Sequence, residues 1–178
     1  ADNCIRANVE RIFAQLQGRS TQLIAVTKTR SVDEINEAIA CGVRHIGENR
    51  VQELLEKYDK IHKDGVMIHL IGHLQTNKVK YIIGKVDLIH SVDSLRLAEE
   101  ISKRALKMDM VQDILVEVNL GREESKGGIF AENLESFLVD ISSLAGIRVR
   151  GLMCIPQIEK KKHANREFFL NLKQLSVD

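Results

Sequence analysis

The stretch Leu23-Ile-Ala-Val-Thr-Lys-Thr-Arg-Ser-Val-Asp-Glu34 decides how this chain is read. Its first half is a short, unbroken apolar run, the pattern of a parallel strand covered on both faces. Its second half places Ser31 three residues before Glu34, a capping box that opens a helix to about Cys41, where Gly42 ends it. Upstream, Ile5, Val9, Ile12, Phe13 and Leu16 recur at helical spacing, so residues 3–17 read as an amphipathic helix closed by Gly18. Downstream, the strand-then-helix phrase repeats. Strands are expected at 44–47, 67–72, 86–92, 112–120 and 149–155, each followed by a helix, near 49–61, 77–83, 93–107, 132–144 and 165–175.

Strict alternation of this kind is the mark of right-handed βαβ units and a parallel sheet. Two observations favour a barrel over an open doubly wound sheet. No GxGxxG follows the first strand, so a dinucleotide fold would lack its phosphate cradle. Polar or reactive residues also end nearly every strand: Lys28, Glu48 with Asn49, His73, Ser91, Asn119, and Met153 with Pro156. In a parallel barrel these would crowd one mouth. The expectation is an α/β fold of the (β/α)8 TIM-barrel type in a single domain, with residues 1–20 as an N-terminal helix and 21–178 as six βα units. An eight-unit barrel usually takes about 250 residues, so the last units are expected to be missing from these 178.

Composition narrows the function classes. At 44% hydrophobic and 29% charged, the chain has enough apolar surface for a core and too much for disorder. A net charge of +1 provides no field for nucleic acid or an anionic membrane, and the basic run Lys160 to Lys162 reads as a solvated helix start. Cys4, Cys41 and Cys154 lack CxxC spacing, which argues against a disulfide framework or zinc knuckle and for a reducing compartment. With no signal-peptide pattern and no apolar run approaching the roughly 20 residues of a membrane span, the cytoplasm is the expected location.

Lys28 carries the chemistry. With a period of two it shares a face with Ile24 and Val26, and so would point into the mouth above an apolar layer. Burial and nearby cations, for which Arg30 and Lys126 are candidates, would disfavour its ammonium form and leave an amine able to attack an aldehyde. The alternative is a lysine that snorkels to water from a strand end. Asn49, at the top of the second strand, either contacts a ligand or caps the following helix. His69 and His73 are four apart but flank a strand-like segment, so they do not converge as metal ligands would on a helix; His73 either faces the mouth or bonds a loop carbonyl. Asn77 and Lys78 open the next helix. Lys126 lies in a polar, mobile loop, Gly121 to Gly128, where it either reaches a phosphate or an aldehyde or is simply solvated.

Taken together, the chain resembles the pyridoxal phosphate homeostasis protein family, single-domain relatives of the alanine racemase barrel. The resemblance rests on Ile24-Ala-Val-Thr-Lys-Thr29, Gly47-Glu-Asn-Arg-Val-Gln-Glu53, His69-Leu-Ile-Gly-His-Leu-Gln75 with Asn77-Lys78, Ser91-Val-Asp93, Glu124-Ser-Lys-Gly-Gly-Ile129 and Gly151-Leu-Met-Cys-Ile-Pro156, in family order. It implies that Lys28 binds pyridoxal 5′-phosphate as an internal aldimine, that Asn49 and Met153 line the cofactor pocket, and that Lys126 is a second lysine in cofactor handling. His73 joins these as a cofactor-site candidate from its strand-end position. The family's phosphate cup comes from a seventh and an eighth strand, whereas this sequence stops at Ser176-Val-Asp178, so the phosphate ligands are expected outside it.

The resemblance implies a non-catalytic carrier that binds and buffers the cofactor; a monomer without a metal is expected, with apo-enzymes that need the cofactor as its partners. A racemase is the first alternative; two-base racemisation draws one acid/base from a second domain, for which the sequence as read has no room. A cofactor-free Schiff-base aldolase is the second, and Glu48 is the strand-end carboxylate on offer to it.

Overall fold

The computed structural model describes residues 4–122, 126–156 and 165–176. Helix α1 (Cys4–Leu16) precedes strand β1 (Ala25–Val26), and the chain then alternates: α2 (Val32–Ala40), β2 (His45–Glu48), α3 (Val51–Tyr58), β3 (Met67–Leu70), α4 (Val79–Ile82), β4 (Leu88–Val92), α5 (Leu95–Leu106), β5 (Gln112–Glu117), α6 (Leu134–Ile141), β6 (Ile147–Met153) and α7 (Arg166–Leu175). The six strands form one parallel sheet in the order β1-β2-β3-β4-β5-β6. That is the parallel α/β architecture expected for a TIM-barrel type. The lysine run 160–162 and residues 123–125 lie outside the described residues.

Period two sorts each strand into two faces. On β5, Gln112, Ile114 and Val116 are buried under the helices, whereas Asp113, Leu115 and Glu117 face inward and are half-buried. The outer layer is the core: Ile46, Leu70, Ile89, Ile114 and Val116 meet Ile35, Leu54, Ile82, Ala98, Ile101 and Ala105. Burying each such Leu or Ile side chain stabilises the fold by about 1.5–3 kcal/mol. No described helix is long and apolar enough to cross a membrane.

Local chemistry sets the helix starts. Ser31 Oγ accepts from the Glu34 amide at 3.2 Å and Glu34 Oε2 accepts from the Ser31 amide at 2.8 Å, completing the capping box. Two helices differ from expectation. A 3-10 turn, Thr76–Lys78, takes the first turn expected of α4, and another, Ala131–Asn133, that of α6. Tighter i to i+3 bonding suits a chain leaving a strand end steeply. Strand β1 is shorter than its apolar run, and Val26 is 50% exposed rather than covered on both faces. Among the described strands it pairs with β2, and its inward face looks into the lumen.

Gly72 just after β3 is forced by contact. A Cβ placed there would stand 2.2 Å from the Asn49 carbonyl oxygen, a backbone atom that cannot rotate away. Gly72→Ala is expected to destabilise the protein by about 1–3 kcal/mol, as overpacking does. Urea denaturation measures it, and an unchanged midpoint would mean that the two segments separate freely.

Candidate functional site

Lys28 leaves β1 on the inward face, as Ile24 and Val26 do. These three side chains, with Asn49, Ile71, His90, Met153 and Ile155, line a cavity of about 320 Å³. Its walls come from the first, second, third, fourth and sixth strands or their ends, so the sheet has curled until β6 faces β1 across the lumen. A second cavity of about 610 Å³ adjoins it through Asn49, Ile71 and Ile155, and is walled by His73, Asp93, Glu117, Asn119 and Lys126. Lys28, Asn49, His73, Lys126 and Met153 therefore all line this double hollow, although they lie far apart in sequence.

Two expectations about Lys28 are corrected. Among the described residues its side chain stands over an apolar floor but is itself exposed. Arg30 is no neighbour of its amine. Thr29 adopts a left-handed φ of 62°, which turns the chain, and Arg30 pairs instead with Glu34 at 3.4 Å and lines a separate hollow with residues of α1 and α2. Glu48 is also turned away from the cavity. It is fully buried toward α3, where it accepts from Lys57 Nζ at 2.9 Å and Thr27 Oγ1 at 2.7 Å, and so cannot serve Lys28 as an acid or base.

Asn49 is not spent as a cap. Helix α3 starts at Val51 with Arg50 in the cap position, making no side-chain cap bond. The Asn49 Oδ1 atom is buried and finds no hydrogen-bond partner among the described residues, at the wall common to both cavities. Buried acceptors are rarely left unpaired, so a ligand or water donor fits there.

The loop carrying Lys126 is pinned where it is described. The Gly128 amide donates to Asp93 Oδ2 at 3.1 Å, Asn119 Nδ2 donates to the Lys126 carbonyl at 3.3 Å, and Ile129 forms a bridge with Val118. Gly128 has a φ of 107°, and a Cβ there would meet the Asn119 amide nitrogen at 2.8 Å. Beneath it, burial and then the Asp93 carboxylate push the Glu117 carboxyl above its usual range, with His73 acting the other way. The sequence reading missed Glu117; the alternation of β5 was the available signal, because it sends Glu117 to the same face as Leu115.

The lumen below the cavity holds three histidines in file. His45 Nδ1 lies 3.0 Å from His69 Nε2, and His69 Nδ1 lies 2.8 Å from His90 Nε2. A neutral imidazole has one N–H and one bare nitrogen, so His69 donates to one neighbour and accepts from the other. Burial pushes the His69 and His90 pKa values down to about 4, helped at His69 by the adjacent imidazoles. His69 lies on β3 and His73 beyond its end, where it lines the larger cavity, and the described residues hold no cluster able to bind a metal.

With this geometry in place, the likenesses to known proteins are specific. The family model described as "Alanine racemase, N-terminal domain" matches residues 3–176. The pyridoxal phosphate homeostasis protein of Aquifex aeolicus is 46% identical over 154 residues, which are 86% of this chain and 68% of that protein. The protein of the same name from Vibrio cholerae is 36% identical over 96% of this chain and 78% of its own length. Among solved structures, PipY of Synechococcus elongatus with PLP bound superposes with a TM-score of 0.87 at 32% identity, over 97% of this chain and 80% of PipY. An alanine racemase of Clostridium difficile shares the fold, with a TM-score of 0.80 at 16% identity over 99% of this chain and 47% of the racemase. The fold is that of an alanine racemase N-terminal domain. The chain belongs to that family and, within it, to the pyridoxal phosphate homeostasis proteins.

The histidine file predicts an acid-sensitive fold. Between pH 6.5 and about 4 the unfolded chain binds protons that folded His69 and His90 refuse, so stability falls as pH drops through that window. Two such protons give a slope of at most about 2.7 kcal/mol per pH unit. In urea titrations from pH 7 to 4, His90→Gln should flatten this limb by about one proton. An equally steep limb in the variant would show that His90 is not protected from protonation.

Proposed function

We propose that this protein holds pyridoxal 5′-phosphate reversibly on Lys28 and buffers it, without turning over an amino-acid substrate. The observation that carries the reading is the primary amine of Lys28 at the rim of a cavity floored by Ile24, Val26 and Ile71, beside the unpaired Asn49 oxygen. Such a hollow, apolar with a few placed polar groups, suits an aromatic ring with a polar edge. When bound, the group supplies an aldehyde, with which a primary amine condenses reversibly, releasing one water.

The chain's own residues divide the remaining work. Lys28 Nζ must shed a proton to expose its lone pair, and the solvent at the rim accepts it. Asn49 Oδ1 accepts a hydrogen bond from the ligand's polar edge, and Met153 offers a polarizable apolar wall. His73 and Lys126 flank the adjoining cavity, where Lys126 meets anionic or aldehyde groups arriving from solvent. The names of the relatives and the PLP bound to PipY support this assignment. In the same reading the protein works in the cytoplasm as a monomer and passes the cofactor to apo-enzymes that require it.

Adding pyridoxal 5′-phosphate to the purified protein should give a yellow adduct that borohydride fixes to Lys28, as read by peptide mass mapping. Lys28→Ala should lose the adduct entirely while keeping its fold. Racemisation of alanine at enzyme-like rates by the yellow protein would overturn the non-catalytic reading, and an adduct persisting in Lys28→Ala would overturn the assignment of the lysine.

A further inference from the structure

One buried ammonium clamps both chain neighbours of Lys28. Lys57, on the face of α3 toward the sheet, is only 9% exposed. Its Nζ donates to the Thr27 carbonyl at 2.9 Å, to Glu48 Oε1 at 2.9 Å and to Glu53 Oε1 at 2.6 Å. An ammonium has three protons, so these acceptors, on the first strand end, the second strand and the third helix, use it completely. The acceptors are themselves shared. Glu48 Oε1 also accepts from Thr27 Oγ1 at 2.7 Å, and Glu53 Oε1 also accepts from the Thr29 amide at 2.5 Å.

Thr27 and Thr29 are the residues on either side of Lys28. Thr29 sits at a φ of 62°, a left-handed conformation that a β-branched residue adopts only when its surroundings hold it there. The carboxylate of Glu53 does so by accepting the Thr29 amide, and Lys57 in turn fixes that carboxylate. Burial on its own would drive protons off Lys57, but Glu53 and Glu48 outweigh it and raise its pKa, so the clamp keeps its positive centre. Hydrogen bonds from Lys57 and from the Thr29 amide hold the Glu53 carboxyl below its usual range.

We infer that Lys57, Glu53 and Glu48 are positioning residues, which aim the Lys28 amine into the cavity by fixing the peptide groups on both sides of it. The inference rests on the reading of Lys28 as the capturing amine. None of the three lines the double hollow, so they act on Lys28 through the backbone alone. Without the clamp, Thr29 relaxes toward an ordinary negative φ, and Lys28 swings off the inward face that it shares with Val26.

Lys57→Met strands a buried carboxylate and is liable to unfold, so the deciding variant is Glu53→Gln, at a partly exposed position where the change removes charge and keeps shape. Two measurements are made on it: hydrogen exchange at the Thr29 and Arg30 amides without any ligand, and the saturation kinetics of pyridoxal 5′-phosphate capture at Lys28. Expected are at least tenfold faster exchange at these two amides and at least a fivefold lower maximal capture rate per folded molecule, with the half-saturating concentration unchanged. A merely structural residue would lower the urea midpoint and leave the maximal rate per folded molecule intact, and that result overturns the inference. So does unchanged exchange. If the wild-type protein captures no cofactor, the reading of Lys28 fails, and exchange at Thr29 still decides whether the clamp holds the loop.

Discussion

The structure depends on the register of parallel strands. Val26 pairs with Gly47, Gly47 with His69 and His69 with Leu88, so each layer of inward side chains is set by hydrogen bonds that the side chains do not make. A shift of one residue would send Ile46, Leu70 and Ile89 into the lumen and the histidines into the helical core. Gly47 shows how closely the layers fit. A Cβ there would press on Ile24 and Ile71 at 3.0–3.2 Å, so the floor beneath Lys28 closes because the second strand contributes no side chain at that level.

The two faces of the sheet solve different problems. The outer face is largely apolar and packs against helices, and Lys57 and its carboxylates are buried together there, as is Gln112. Such a cluster holds only if its partners stay complete, since removing one member of a buried pair costs about 3–5 kcal/mol. The inner face is mixed: histidines below, an apolar floor of Ile24, Val26 and Ile71, and amide, amine and carboxyl groups above. Burial holds His69 and His90 toward their neutral forms within the hydrogen-bonded file, while Asn49 presents, among the described residues, an unpaired acceptor at the cavity wall. The apolar face supplies stability, and the inner face is thereby left to carry chemistry.

Much of this was legible in the sequence because it is periodic or local. The strand and helix alternation followed from apolar spacing, and the Ser31 and Glu34 capping box from residues three apart. Lys28, Asn49, His73 and Met153 became candidates from their places at expected strand ends, Lys126 from a polar loop, and the resemblance rested on motifs in order along the chain. Less legible were the features that depend on where a segment turns. Asn49 looked like a helix cap because its type suits one, yet the helix begins two residues later. Arg30 looked like a neighbour of Lys28 because it lies two positions away, yet a left-handed Thr29 sends it to the opposite side. The loop around Lys126 looked mobile from its glycines, yet Asp93, distant in sequence, holds Gly128.

The sequence by itself determined the fold class and the family and singled out Lys28 as the candidate amine, because hydrophobic period and residue order survive without knowledge of contacts. Only the tertiary structure decided which side chains keep company: Lys57 with the residues flanking Lys28, His69 with His45 and His90, Glu117 with Asp93. Those pairings join different strands and helices, and the distance between two groups in separate βα units is fixed by sheet curvature and register rather than by anything written within either segment.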